Sequence, residues 1–320
     1  MGVSFLFSGQ ASHYVGMGKA LYDGFEQARA VFDEVDSALS QYLFRLMTEG
    51  TEESLRQTMN AQPAIMAVSV AAYRCFHHET GGACAPLFHA GHSLGEYSAL
   101  VCAGSLDLTA CAHLLRLRGQ SMQKAVPEGE GSMAAVLGLD IDAVMACARI
   151  ASEETQGCCV AANDNAPGQV VIAGDKASVA HAQREAEKHG AKKVLPLNVS
   201  APFHCPLMQP AAETMAEALA QTELKDPTPP IISNVTAREE CHGDSIRKRL
   251  VEQITAMVRW RDSMLYLQDK GTEMFIEYGP RPILCGMMKR IAPTLSCSHV
   301  GDEKSLRATC ALWESLQSCP

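Results

Sequence analysis

The chain has 320 residues, 47% hydrophobic and 20% charged, a length that suits one large domain or two unequal ones with a sizeable core. Its 36 acidic residues against 27 Lys plus Arg leave a net charge of −9, which argues against nucleic acid and anionic membranes, since phosphate binding needs clustered positive charge. Thirteen cysteines are scattered without a CxxC pair, so no zinc-ligand spacing is present and they read as free thiols in a reducing cytoplasm.

The chain opens with a short apolar strand, Val3 to Phe7, a run too short for a secretory leader. A Gly-Gln turn and a helical pattern from about Lys19 follow. After Gln62-Pro63 an apolar helix runs toward Phe76, and Leu87 to Ala90 reads as a buried strand leading into Gly91-His92-Ser93-Leu94-Gly95 and a further helix. No stretch approaches the roughly 18 apolar residues that cross a bilayer. Between about residues 129 and 198 the rhythm changes to strand (Met133 to Leu137), helix (Asp140 to Ile150), strand (Cys158 to Ala162), strand (Gln169 to Ala173), helix (Asp175 to His189) and strand (Lys193 to Val199). That order is ferredoxin-like, with Asn163 to Gly168 as a loop. The expected architecture is α/β: a discontinuous catalytic domain of residues 1–128 and 199–320 with residues 129–198 inserted. A helix starts near Pro206, a strand covers Ile231 to Val235, and a late strand, Phe275 to Tyr278, closes on Gly279-Pro280.

Strand, tight glycine turn and helix around Ser93 match G-x-S-x-G, the nucleophile elbow, in which the Leu94 N–H is placed to bind an oxyanion. A serine nucleophile needs a base. His204, just past a strand and just before a helix, is the best placed; His181 and His189 read as surface residues of a helix. No acidic residue is convincingly placed as a third member, so a dyad and a triad both stand. On the helix from about Leu108 to Ala125, Arg118 shares the apolar face of Cys111, Leu114, Leu115 and Met122. An inward arginine after an elbow reads as a clamp for a substrate carboxylate, as half of a structural ion pair, or as a side chain that snorkels to the surface.

These residues bring a family into view. Gly9-Gln10, Gln62-Pro63-Ala64, Gly91 to Tyr97, Arg118-Gly119, Asn165 to Gly174, Phe203-His204 and Gln253 occur in the order of bacterial malonyl-CoA:acyl-carrier-protein transacylases and polyketide synthase acyltransferase domains, which the chain resembles along nearly its whole length. The resemblance implies an α/β-hydrolase-like core with a ferredoxin-like insert. It makes Ser93 the nucleophile, His204 the base oriented by Gln253, and Gln10 and Leu94 the oxyanion-hole donors. Arg118 would hold the malonyl carboxylate, while His92, Asn165 and Phe203 line the pocket, the ring of Phe203 crowding an α-methyl branch. The implied partners are malonyl-CoA and an acyl carrier protein, with no metal and no cofactor beyond the coenzyme A thioester itself. The opening departs from the family: Ser8 stands for a proline, Ala11 for a glycine, and His13 adds a titratable group near the mouth. If Ala11 takes positive φ it carries strain. Arg281, Lys289-Arg290 and Arg247-Lys248-Arg249 are the basic residues offered for docking an acidic carrier.

Overall fold

The computed structural model describes residues 2–317. In chain order its strands are β1 (Val3–Phe7), β2 (Phe88–Gly91), β3 (Gly131–Leu137), β4 (Cys159–Ala166), β5 (Gln169–Asp175), β6 (Lys193–Pro196), β7 (Ile231–Ile232), β8 (Glu239–Glu240), β9 (Met274–Tyr278) and β10 (Ser296–Val300). Two sheets result. The larger has the order β10-β9-β1-β2-β7-β8 and is parallel from β10 to β7, with β8 antiparallel at its edge. Parallel strands need crossovers, and helices cover both faces, which is why β1 and β9 are buried at every position. Phe76 and Tyr278 pack edge-on against Phe5, the His89 ring stacks on Phe5 at 5.4 Å, and Phe7 meets His89 edge-on. Burial pushes His89 down to about 4.

The second sheet has the order β4-β5-β3-β6 and is antiparallel throughout. The helices Ile141–Thr155 and Lys176–Lys188 pack on it through Val144, Cys147, Val179 and Ala182. Strand, helix, two strands, helix and strand in this spatial order make a ferredoxin-like unit inserted in an α/β-hydrolase-like core.

Several local expectations change. The long helix begins at Thr58, not after Pro63. The Asn60 and Ala61 N–H groups bond the Gln57 carbonyl, so the helix is already wound when the chain reaches Pro63. Asn163 to Gly168 is not all loop, because β4 continues to Ala166 with register shifts at Ala161/Asn163 and Asp164/Ala166. Its outer edge finds partners: the Asp164 N–H donates to the Val258 carbonyl and the Val258 N–H to that of Ala162, each at 2.9 Å. An Arg261–Asp164 ion pair at 2.8 Å adds to this seam between the sheets. β6 stops at Pro196 and β7 is two residues long. The cysteines are not all free thiols: Cys285 and Cys297, with Cα atoms 5.4 Å apart, form a disulfide that ties the helix Ile283–Ile291 to β10. No helix among the described residues is long and apolar enough to cross a membrane.

Candidate active site

The turn from β2 into the helix Gly95–Cys102 leaves no room for side chains at its ends. A Cβ on Gly91 would collide with the Gly95 backbone, and one on Gly95 with the Phe7 carbonyl. The glycines therefore let the helix start against the sheet and force Ser93 to φ 54°, a left-handed conformation that costs about 1 kcal/mol or more unless neighbours enforce it. The neighbour here is Asn234, just beyond β7. Its Oδ1 accepts the Ser93 N–H at 2.7 Å and its Nδ2 donates to the Gly91 carbonyl at 2.7 Å. No local motif marks Asn234; its one signal in the chain is an Asn at the carboxyl end of a parallel strand, where it is buried.

His204 Nε2 lies 2.8 Å from Ser93 Oγ, and its Nδ1 donates to the Gln253 carbonyl at 2.7 Å. That carbonyl belongs to the last residue of the helix Gly243–Gln253, where a terminal carbonyl is free to accept from outside the helix. A carbonyl only accepts, so Nδ1 carries the proton and Nε2 presents its lone pair to Ser93. The third position is thus a backbone oxygen and not a carboxylate. Burial, with Arg118 adding to it, holds the imidazole down at about 3, so it is neutral and able to accept a proton.

Arg118, on the helix Leu108–Lys124, is 1% exposed. Its guanidinium donates to Gln62 Oε1 at 2.9 Å, Gln253 Oε1 at 2.9 Å and Ser93 Oγ at 3.2 Å, and lies over the Tyr97 ring at 5.8 Å. None of these partners is an anion. The nearby carboxyl is Glu96, which instead accepts from Gln253 Nε2 at 2.8 Å and the Asn234 N–H at 3.1 Å; burial pushes it up to about 7. The structural ion pair that the sequence left open is absent among the described residues. The buried guanidinium beside the serine hydroxyl is thus left without a directly bonded counter-anion.

Ser93 and His204 open on a cavity of about 670 Å³ between the two sheets. Gly9, Gln10, His92, Ser93, Phe203 and His204 wall one side, and Asn165 with Met133 and Val171 the other. His92 reaches across, its Nε2 2.9 Å from Asn165 Oδ1. Among the described residues neither the Gln10 nor the Leu94 N–H has a protein acceptor. The opening loop explains two departures. Ser8 Oγ donates at 2.8 Å to Glu277, a buried carboxylate of β9 that also receives the Leu284 and Cys285 N–H groups. Ala11 does take positive φ, 76°. Of the basic residues offered for docking, Arg249 is paired with Glu240 and Glu252, and Arg247 donates to the Leu219 and Thr222 carbonyls. Arg290 donates to the Pro167 carbonyl at 2.8 Å. Lys248 and Lys289 point to solvent.

Residues 4–305 match the acyl transferase domain family. The chain is 42% identical over 310 residues to the malonyl CoA-acyl carrier protein transacylase of Escherichia coli (strain K12), covering 97% of this chain and 99% of that one. The acyl-carrier-protein-S-malonyltransferase of Bartonella henselae superposes with a TM-score of 0.93 at 43% identity, covering 98% and 100% of the two chains. A malonyl-transacylase solved in complex with a type II PKS acyl-carrier protein gives 0.94 at 39% identity, again covering 98% and 100%. With a serine on a strained elbow, a neutral histidine against it and this likeness over nearly its full length, the chain belongs to the acyl transferase domain family.

Proposed function

We propose that this chain is a malonyl-CoA:acyl-carrier-protein S-malonyltransferase working by a ping-pong route through a malonyl ester of Ser93. The observation that carries this reading is Arg118, a buried guanidinium with only neutral partners 3.2 Å from the serine hydroxyl. A terminal carboxylate on the acyl chain supplies its missing anion, whereas an acetyl chain leaves the charge unpaired in a closed site. His204 Nε2 takes the Ser93 proton as Oγ attacks the thioester carbonyl. The Leu94 and Gln10 N–H groups receive the oxyanion, and coenzyme A leaves as the thiol with the proton from His204. The phosphopantetheine thiol of the carrier then gives its proton to His204 and attacks the ester carbonyl; the bond to Ser93 Oγ breaks, and His204 returns the proton to the leaving serine oxygen. Phe203 narrows the space beside the acyl α-carbon. The route runs on side chains and N–H groups, with the thioester as substrate and no separate cofactor. The cytoplasm, where coenzyme A thioesters meet carrier proteins, is the compartment that suits it.

Intact-protein mass after brief mixing with malonyl-CoA or acetyl-CoA tests the reading. The wild type should gain a malonyl adduct that Ser93→Ala abolishes, Arg118→Ala weakens and a holo carrier protein removes. Release of free malonate with no transfer to a carrier would make the chain a hydrolase, and no adduct would make it a silent carrier-binding module.

A further inference from the structure

Beside the catalytic cavity lies a second pocket of about 480 Å³, walled by His13, Tyr14, Glu52, Glu53, Arg56 and Arg281. His13, Glu53 and Arg56 line both, so the two spaces adjoin. Three observations single it out. Arg281 is held over the Tyr14 ring at 4.8 Å. Among the described residues neither the Arg56 nor the Arg281 guanidinium has a hydrogen-bond or ion-pair partner, although Glu52 and Glu53 line the same pocket. The His13 Nδ1 is buried and also has no partner.

Two guanidiniums and two carboxylates line the pocket, and at His13 the guanidiniums outweigh Glu52. Burial and then Arg281 and Arg56 hold the imidazole below its ordinary value, and Glu52 opposes them least. Unpaired guanidiniums presenting several N–H donors suit a phosphate, which accepts from more than one donor at once. The substrates of the proposed reaction carry phosphate at the far end of the pantetheine arm from the reacting sulfur. We infer that the His13–Arg56–Arg281 pocket is a phosphate subsite at the mouth of the acyl channel, which receives the phosphate end of a pantetheine thioester. The inference rests on the transferase reading. The shared chemistry belongs to two ligands: the phosphates of coenzyme A and the phosphodiester of a carrier's prosthetic group.

The test compares wild type with Arg56→Ala, Arg281→Ala and the double variant. Donors are malonyl-CoA, malonyl-dephospho-CoA and malonyl-pantetheine; acceptors are 4′-phosphopantetheine and pantetheine. Each lost arginine contact should raise the KM for malonyl-CoA or for 4′-phosphopantetheine about tenfold, leaving kcat and the phosphate-free compounds unchanged. A shift seen with the donors assigns the pocket to coenzyme A, and malonyl-dephospho-CoA then shows whether the 3′-phosphate is the group bound. A shift confined to the acceptor assigns the pocket to the carrier arm. Equal KM values for wild type and double variant with every phosphate-bearing compound overturn the subsite alone. A wild type that forms no ester from any donor overturns the transferase reading and the subsite with it.

Discussion

The two sheets meet at one cavity but contribute to it unequally. The parallel sheet supplies the elbow after β2, Asn234 after β7 and the Gly9-Gln10 loop after β1, all at carboxyl ends of strands, where open α/β sheets place their sites. The antiparallel sheet supplies a wall and one side-chain bond to that machinery, from Asn165 to His92. On the first side, Ser93, His204, Arg118, Gln253, Glu96 and Asn234 form one continuous hydrogen-bonded set. The difference teaches that reactivity depends on a rigid buried network, whereas the facing wall shapes the space and can change at smaller cost.

If this division holds, the losses should fall in order. His204→Ala should lower the single-turnover acylation rate by roughly 10²–10⁴-fold. In the wild type, the imidazole held at about 3 stays unprotonated as pH falls through 6.5, so acylation at pH 5 should stay close to its pH 7 rate. A tenfold loss per unit below 6.5 would mean that the site is wetter than its burial indicates. The same depression works against stability in acid. The unfolded histidine takes up a proton below about 6.5 and the folded one does not, so His204 and His89 together draw stability down from pH 6.5 toward 4.

Next comes Asn234→Ala, which strands the Ser93 N–H and the Gly91 carbonyl and should lower kcat by roughly 10²-fold with KM little moved. Asn234→Asp keeps the acceptor and loses the donor, and should recover part of that loss; equal defects would mean the side chain acts only through packing. Asn165→Ala breaks the bond to His92 across the cavity and should lower kcat/KM only three- to tenfold, roughly one hydrogen bond. A loss as deep as that of Asn234→Ala would erase the proposed division between network and wall. The smallest change is Ala11→Gly. The residue sits at φ 76°, so glycine should raise unfolding stability by about 1 kcal/mol in thermal or denaturant melts, with acylation unaffected.

Much of this site was legible along the chain because its signals are local. Gly-x-Ser-x-Gly marks the elbow by steric need, and the heptad spacing of Cys111, Leu115, Arg118 and Met122 turns Arg118 inward. Gln253 came only through family resemblance, and its two roles, carbonyl to His204 and amide to Arg118 and Glu96, became visible in the fold. Asn234, 141 residues from its partner Ser93, left no local trace. The extension of β4 to Ala166 was hidden for a similar reason: Asn and Asp read as loop residues until Val258 and Arg261 arrive to pair them.

By itself the sequence determined the periodic elements, the glycines that a strained turn demands, and the residue types that perform acyl transfer, since these depend on near neighbours and intrinsic side-chain chemistry. The tertiary structure alone decided which groups share a hydrogen bond. It gave Arg118 amide and hydroxyl partners in place of a carboxylate, gave His204 a carbonyl in place of an acid, bonded Cys285 to Cys297, and left Arg56 and Arg281 unpaired at the mouth. The reason is physical: burial and pairing set the charge state and reactivity of a group, and both are properties of segments brought together from distant parts of the chain.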